Sequence, residues 1–504
     1  MNFIPESSRT LSERLKPGAL IVQLNKPAAL IVLFLFSITI GYVSIKGGIV
    51  AGLLILVTMV ALPVVYAIVA YPVFGVIVLM TMAYALFFIL RFGVNFPLGT
   101  VLDGIQGLLI LGFFIKQRAK PDWKVFKNPI STVILIWIGY NILEVANPWA
   151  ESRLAWVYTV RSVAVITIMY FVFLYQLRSV SAIRLIFKVW LVLSFIGALY
   201  GFKQEFIGFS DREMAQMESD PLTVALLFIN GVWRKYSIFS DPVAFSYNMV
   251  ITALLCISLI SGPVKQYKKI ILAIMTVMML MAMLYSGTRG AYVLVPAALI
   301  LFALLNFSKR IMIFTGFAAF GIAVMIFMPT SSPTIYRFQS AFRPSEDASF
   351  NVRKQNQEKI KPYILSHPMG GGLGATGVWG VRFAPNSYLA SFPPDSGYVR
   401  VAVEMGWIGL FLFCCLMFVI LKTGIQNFYK IKNPELKSYC MAMTLIIFAL
   451  NIGNYPQEAL VQFPNNVLFY LCIALIQATY LIDQEEQKKF ADANTQKVVF
   501  QENR

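Results

Sequence analysis

The chain has 504 residues, 58% of them hydrophobic and 13% charged, with 42 Lys and Arg against 24 Asp and Glu for a formal net charge of +18. Apolar runs of about 18 residues or more, each long enough to cross a bilayer, recur from end to end and exclude a water-soluble reading. The positive charge would suit nucleic acid, but most basic residues sit in short loops between apolar runs, the pattern of cytoplasmic loops in membrane proteins.

Residues 1–27 are polar and basic, and no small-residue cleavage site follows the first apolar run. They read as a retained cytoplasmic leader. Fourteen candidate spans follow, at about 28–45, 48–70, 72–91, 98–116, 129–147, 157–177, 183–203, 241–262, 269–287, 290–307, 311–328, 398–421, 438–455 and 464–482. The expected fold is therefore all-α and polytopic, with 12 to 14 transmembrane helices. Its parts are an N-terminal bundle (28–203), a loop (204–240), four further spans (241–328), a long loop (329–397), three last spans (398–482) and a tail (483–504).

Basic clusters at Arg9, Arg14 and Lys16, at Lys116 to Lys127, at Arg178 and Arg184, at Lys265, Lys268 and Lys269, at Lys309 and Arg310, and at Lys422 to Lys437 all fall on one side under this count. That side is cytoplasmic and holds both termini, and it leaves 204–240 and 329–397 outside. The longer loop carries most of the Gly, Pro and Ser punctuation and no obvious periodic helix, which marks a functional or disordered segment. The five cysteines lie inside apolar runs, without disulfide or zinc spacing. No internal repeat is visible, which argues against a repeat-built transporter.

Ionisable residues inside spans are costly and point to function. Asp103, Glu144, Arg161, Glu205, Asp241, Arg289, Arg400 and Glu404 all fall near the outer ends of their spans. Snorkelling to the interface would use both ends alike, so an outward-facing polar cavity is the better reading. Arg234, Arg337, Arg343, Arg353 and Arg382 add arginines to the outer side against the positive-inside bias. The planar guanidinium fork matches phosphate oxygens in pairs, which suggests a phosphate-bearing ligand at the membrane surface. In "LYSGTRGAYVL" (284–294), Arg289 stands between Gly287 and Gly290, where a backbone break lets a ligand approach; an ordinary turn with a solvated arginine is the competing account.

"GGGLGATG" has the spacing of a dinucleotide fingerprint at Gly372, Gly374 and Gly377 but lacks the strand and helix that motif needs. A P-loop lysine, H-E-x-x-H and an Asp-x-Asp pair are all missing, so no metal or cofactor is expected. His367 is the one histidine; ahead of Pro368 it reads more readily as a loop hydrogen-bonding residue than as a catalyst.

Four segments in this order resemble the O-antigen ligase and polymerase superfamily: "FSDPVAFSYNMV" (239–250), "LYSGTRGAYV", "ILSHPMGGGLG" and "DSGYVRVAVEMGWIGL". The resemblance covers about 230–415. It implies a polytopic glycosyltransferase of the bacterial cytoplasmic (inner) membrane, independent of metal and nucleotide and inverting, with its active site facing the periplasm. The implied donor is a glycan on a polyprenyl diphosphate, and the acceptor a glycan or lipid. The diphosphate-binding arginines would correspond to Arg289 and Arg234, with Arg161 and Arg353 as further candidates. The ligase signature has a histidine where this chain has Asp395, ahead of Ser396, Gly406 and Gly409; in a rival alignment on "PNSYL", Pro385 takes its place.

The missing histidine favours a polymerase-like or other glycan-transferring member over lipopolysaccharide ligation. Asp395 is then the catalytic candidate, and Asn386, Tyr398, Glu404 and His367 are possible acceptor contacts. A carboxylate near arginines is expected to have a lowered pKa. Asp395 or Ser396 is also placed to cap the following helix. The alternative function is a polysaccharide-related transporter or flippase, which would need polar residues through the full bilayer depth.

Overall fold

The structure is a computed structural model that describes residues 27–93, 98–229, 231–343 and 348–502. All but the last residue of the expected leader lies outside the described residues. Residues 1–67 and 68–504 form separate compact units. Helix α1, Pro27–Ala70, is broken at Gly48, where φ is 71°. Its 44 residues exceed the roughly 20 that one crossing needs, and the break falls where the expected spans 28–45 and 48–70 meet.

In the second unit, α2 (Pro72–Leu90), α3 (Leu98–Ala119), α4 (Pro129–Leu143), α5 (Arg153–Gln176) and α6 (Val180–Phe206) follow the expected spans closely. Polar side chains start several of them: Asn128 accepts from the Ser131 N–H at the head of α4, and Ser179 from the Ala182 N–H at the head of α6. Such caps satisfy amide groups that a helix leaves unpaired in its first turn. Past the 204–240 loop come α9 (Pro242–Ser261), α10 (Gln266–Tyr285), α11 (Arg289–Leu305) and α12 (Lys309–Phe327). The chain ends with α16 (Gly397–Lys430), α17 (Pro434–Gly453) and α18 (Asn465–Glu502). Among the described residues, ten helices are long and apolar enough to cross a membrane, and Thr58–Ala70, Arg289–Leu305 and Ile311–Phe327 are shorter apolar helices. The protein is an all-α polytopic membrane protein.

The centre of the bundle is decided by burial. The apolar windows of α9, α17 and α18 are 89%, 78% and 83% buried, whereas α4 and α10 bury 33% and 28%. Side chains without a hydrogen-bond partner are expensive in an apolar interior, and the central polar groups are linked to one another. Asn248 on α9 donates to the Tyr84 hydroxyl at 2.9 Å and to Asn465 Oδ1 at 3.2 Å, and Trp190 Nε1 donates to Thr252 Oγ1 at 3.1 Å. This network fastens α2, α6 and α18 onto α9.

One end of the unit is basic. Arg178 bonds Asp122 and Glu485, Arg184 bonds Glu435 through two nitrogens, and the Lys432 amide reaches Asp483. Three of the basic clusters, at 116–127, 178–184 and 422–437, thus meet at one end through these bonds; Arg9, Arg14 and Lys16 lie outside the described residues.

The two long loops lie at the opposite end, and they are more ordered than expected. The first holds α7 (Asp211–Glu218), α8 (Pro221–Leu227) and an antiparallel hairpin of β1 (Phe228–Ile229) and β2 (Val232–Trp233). The second, read from sequence as lacking a periodic helix, holds α13 (Pro333–Ser340), α14 (Ala348–Ser366) and α15 (Gly377–Phe383). The middle of α14, "NVRKQNQEK", is almost entirely charged or amide-bearing, so that stretch carries no apolar stripe to reveal a helix. If these loops face outward, Ser219→Cys and Ser391→Cys, both at exposed positions, will react with an impermeant thiol reagent on intact spheroplasts. Labelling only after lysis would reverse the orientation.

Candidate functional site

The segment 286–290 turns sharply between α10 and α11. Gly287 takes φ 63°, a conformation natural to glycine, and Thr288 precedes Arg289, the first residue of α11. Two arginines from other segments hold this turn. Arg234, just past the hairpin, donates to the Ser286 carbonyl at 3.0 Å, the Leu226 carbonyl at 3.3 Å and Thr288 Oγ1 at 2.9 Å. Arg337 on α13 donates from Nε to the Gly287 carbonyl. A Cβ at Gly287 would lie 2.9 Å from Arg337 Nε, so the glycine also makes room for the arginine.

Arg234, Arg289 and Arg337 therefore gather around one turn. Burial, reinforced by the charges of Arg337 and Arg289, pushes the Arg234 guanidinium down to about 10, with Asp241 pulling the other way. That carboxylate is already committed: Asp241 Oδ1 accepts from the Val243 and Ala244 N–H groups at 2.7 and 3.0 Å, and Oδ2 from Ser240 at 2.7 Å. Positive charge is thus concentrated at the start of α11, where the helix's own unpaired N–H groups also favour an anion.

Beside the turn is a cavity of about 480 Å³, with Asp395, Arg400, Glu458 and Gln462 in its wall. Arg400 on α16 bonds Glu458 at 3.1 Å and Glu404 at 3.2 Å. The α9 N-terminus joins this cavity to the arginine turn. Val243 lines it, Ser240 Oγ donates to Gln462 Oε1 at 3.2 Å, and Gly290 packs against Tyr247 and Pro456.

Asp395 is exposed to the cavity. The protein around it still desolvates the carboxyl enough to raise it above the usual aspartate range, against the pull of Arg353. The lowered value expected from nearby arginines is therefore corrected: partial burial outweighs the pull of Arg353. Helix α16 is capped by Ser396, whose Oγ accepts from the Val399 N–H at 3.4 Å, so Asp395 is not committed to that role.

The glycine-rich segment is a plug. Helix α16 is broken at Gly406, with φ 68° and ψ −173°, and the break frees backbone groups that need partners in a membrane interior. The Gly371 and Gly372 N–H groups supply two of them, each donating at 2.9 Å to the Val403 and Glu404 carbonyls, and the Ile408 N–H donates to Pro368 at 3.3 Å. The buried Glu404 carboxylate accepts from the Gly374 N–H at 3.1 Å, from Thr376 Oγ1 and from Arg400. The glycine segment thus holds Glu404, which in turn bonds Arg400.

The remaining candidates are dispersed. Arg161 on α5 pairs with Asp103 on α3 at 3.4 Å, and Asp103 lines a separate, mostly apolar cavity of about 320 Å³ that also reaches Arg400 and Glu404. Arg353 on α14 lies within electrostatic reach of Asp395 and Tyr247. Asn386 is exposed on the loop. Tyr398 points its hydroxyl at Asn451 in the bundle. His367 stacks on Tyr363 with ring centres 4.0 Å apart, and its Nδ1 lies 2.9 Å from the Tyr363 carbonyl. The sequence offers Arg337 only as one of several outer arginines, and nothing in "NYPQEALVQF" marks Glu458 as an arginine partner.

Residues 274–414 match the family described as O-antigen ligase. A protein named O-antigen polymerase from Salmonella muenchen is 28% identical over 189 residues, which cover 36% of this chain and 45% of that protein. The matched stretch thus spans less than half of either protein, and the family match includes the arginine turn, the glycine plug and Asp395.

Proposed function

We propose, from the O-antigen ligase and polymerase superfamily that both matches support, that this chain is a membrane glycosyltransferase working on a polyprenyl-diphosphate-linked glycan at the outer face of the cytoplasmic membrane. The observation that carries the reading is the convergence of Arg234, Arg289 and Arg337 on one turn beside the Asp395 cavity. Three arginines gathered at one turn suit a ligand with more than one negative charge, as a diphosphate has.

In this mechanism the diphosphate lies at the 286–290 turn, with its anomeric carbon toward the cavity. An acceptor hydroxyl forms a bond to that carbon while the bond to the diphosphate oxygen breaks. Asp395 takes the hydroxyl proton, and the arginines stabilise the departing diphosphate. Arg400, held by Glu404 and Glu458, shapes the acceptor side. Burial raises the Asp395 carboxyl above the usual range, which makes it a stronger base than an ordinary aspartate.

The test is Asp395→Asn. Because Ser396 is the cap, asparagine leaves α16 intact and removes only the charge. The variant is expected to reach normal membrane levels and to lose at least about tenfold in transfer rate, about 1.4 kcal/mol in the barrier. The sign for stability is also fixed. A raised folded-state pKa means the folded chain holds its proton more tightly than the unfolded one, so above the ordinary aspartate value ionised Asp395 opposes folding. Asparagine should keep or raise the thermal midpoint at neutral pH. Wild-type glycan output from Asp395→Asn would remove Asp395 from the reaction. In a deletion strain, retention of single repeats without long chains indicates polymerisation, and accumulation of unattached long lipid-linked chains indicates ligation. An unchanged surface glycan would overturn the reading as a whole.

A further inference from the structure

A third cavity, of about 590 Å³, opens at the basic end of the bundle, remote from the arginine turn. It lies between α6 and α10 and is closed at the back by α17. Its mouth carries Arg184 and Lys188 from α6, and Lys265 and Lys268 from the start of α10. Against these four cations the lining holds one carboxylate, Glu435. Both of its oxygens are bonded to Arg184, and Oε1 also accepts from Tyr439. The three lysines are exposed.

The walls change character with depth. Helices α6 and α10 both start at this end, so residues later in each lie deeper. On α6 the lining runs from Arg184 and Lys188 to Leu191; on α10 it runs from Lys268 through Ile271 to Met275. At 1.5 Å per residue, Met275 is about 10 Å below Lys268. The groove is open to the side: Ile271 is 52% exposed and Ile274, one residue short of Met275, 56%. A basic rim above a laterally open apolar wall matches a molecule with a negative head and a hydrocarbon tail, and basic pockets between helices at a cytoplasmic surface suit acidic lipid head groups.

We propose that this groove binds an anionic glycerophospholipid, its phosphate held by Lys188, Lys265 and Lys268 and one acyl chain laid along Leu191, Ile271 and Met275. The donor-side chemistry at the opposite end plays no part in this, so the two proposals stand or fall separately.

The test uses the full chain in nanodiscs of phosphatidylcholine with and without phosphatidylglycerol, with native mass spectrometry to count retained lipids and titration to measure affinity. The wild-type chain should retain phosphatidylglycerol in preference to phosphatidylcholine. Lys188→Ala/Lys265→Ala/Lys268→Ala should weaken that binding at least about tenfold while keeping the thermal midpoint in pure phosphatidylcholine. An equal number of substitutions at Lys116, Lys120 and Lys124 should leave it unchanged. Retained preference in the groove variant, or an equal loss in the control, would overturn the proposal in favour of general surface charge. Full competition by glycerol phosphate, which lacks the chains, would overturn the acyl-chain contact. Loss of the preference in Leu191→Asp with all three lysines present is the expected support for that contact.

Discussion

Arg289→Lys is expected to insert normally, to keep its thermal stability and to lose transfer activity by about a hundredfold, about 2.7 kcal/mol in the barrier. The charge is conserved; what is lost is the planar fork that can meet two phosphate oxygens at once. The setting makes this a clean experiment. Arg234 and Arg337 hold the turn through the Ser286 and Gly287 carbonyls and the Thr288 hydroxyl, so the backbone does not depend on the Arg289 side chain through any of those bonds. Arg234→Lys should behave differently. A lysine cannot reach Ser286, Leu226 and Thr288 together, so that variant should lose stability along with activity. Rates measured at saturating lipid-linked donor, with protein level and thermal midpoint recorded in parallel, separate the two. A fully active Arg289→Lys would leave Arg289 as a turn residue.

Gly406→Ala is expected to destabilise the protein by about 3 kcal/mol or more, enough to deplete it from the membrane. Two costs add. The backbone at φ 68° and ψ −173° lies in a region essentially reserved for glycine, with strain of about 1–3 kcal/mol for other residues. The new Cβ would also lie 1.9 Å from the Pro368 carbonyl oxygen and 2.6 Å from the Gly370 nitrogen. Those are backbone atoms of the plug, which cannot swing aside, and forcing atoms into a packed site costs about another 1–3 kcal/mol. If the plug moves to relieve the clash, Gly371 and Gly372 lose their bonds to Val403 and Glu404, and Arg400 loses its footing. Gly104→Ala is the control: nothing lies within 4 Å of its Cβ, and alanine in mid-helix should be neutral or stabilising. Wild-type levels and melting for Gly406→Ala would show that the break in α16 has room to relax.

Helix positions and the basic end were legible in the sequence because both depend on short-range composition. Twenty consecutive apolar residues need no partner to be recognised as a span, and lysines in short loops report their side through counting alone. The arginines on the far side were legible as candidates for the same reason: there they break the charge bias. Asp395 could be found by its spacing to Gly406 and Gly409, but its titration could not, because burial and Arg353 act on it through space. Only the tertiary structure decided which candidates share a site. Arg234, Arg289 and Arg337 are up to 103 positions apart in sequence, and a turn between two helices brings them together. Arg400 meets Glu458 across 58 residues, and the "GGGLG" segment acquires its role only from the broken helix it fits. Composition determines where the long apolar helices run along the chain; which ends meet, and which loop segments coil into helices, depends on packing between residues that no local pattern connects.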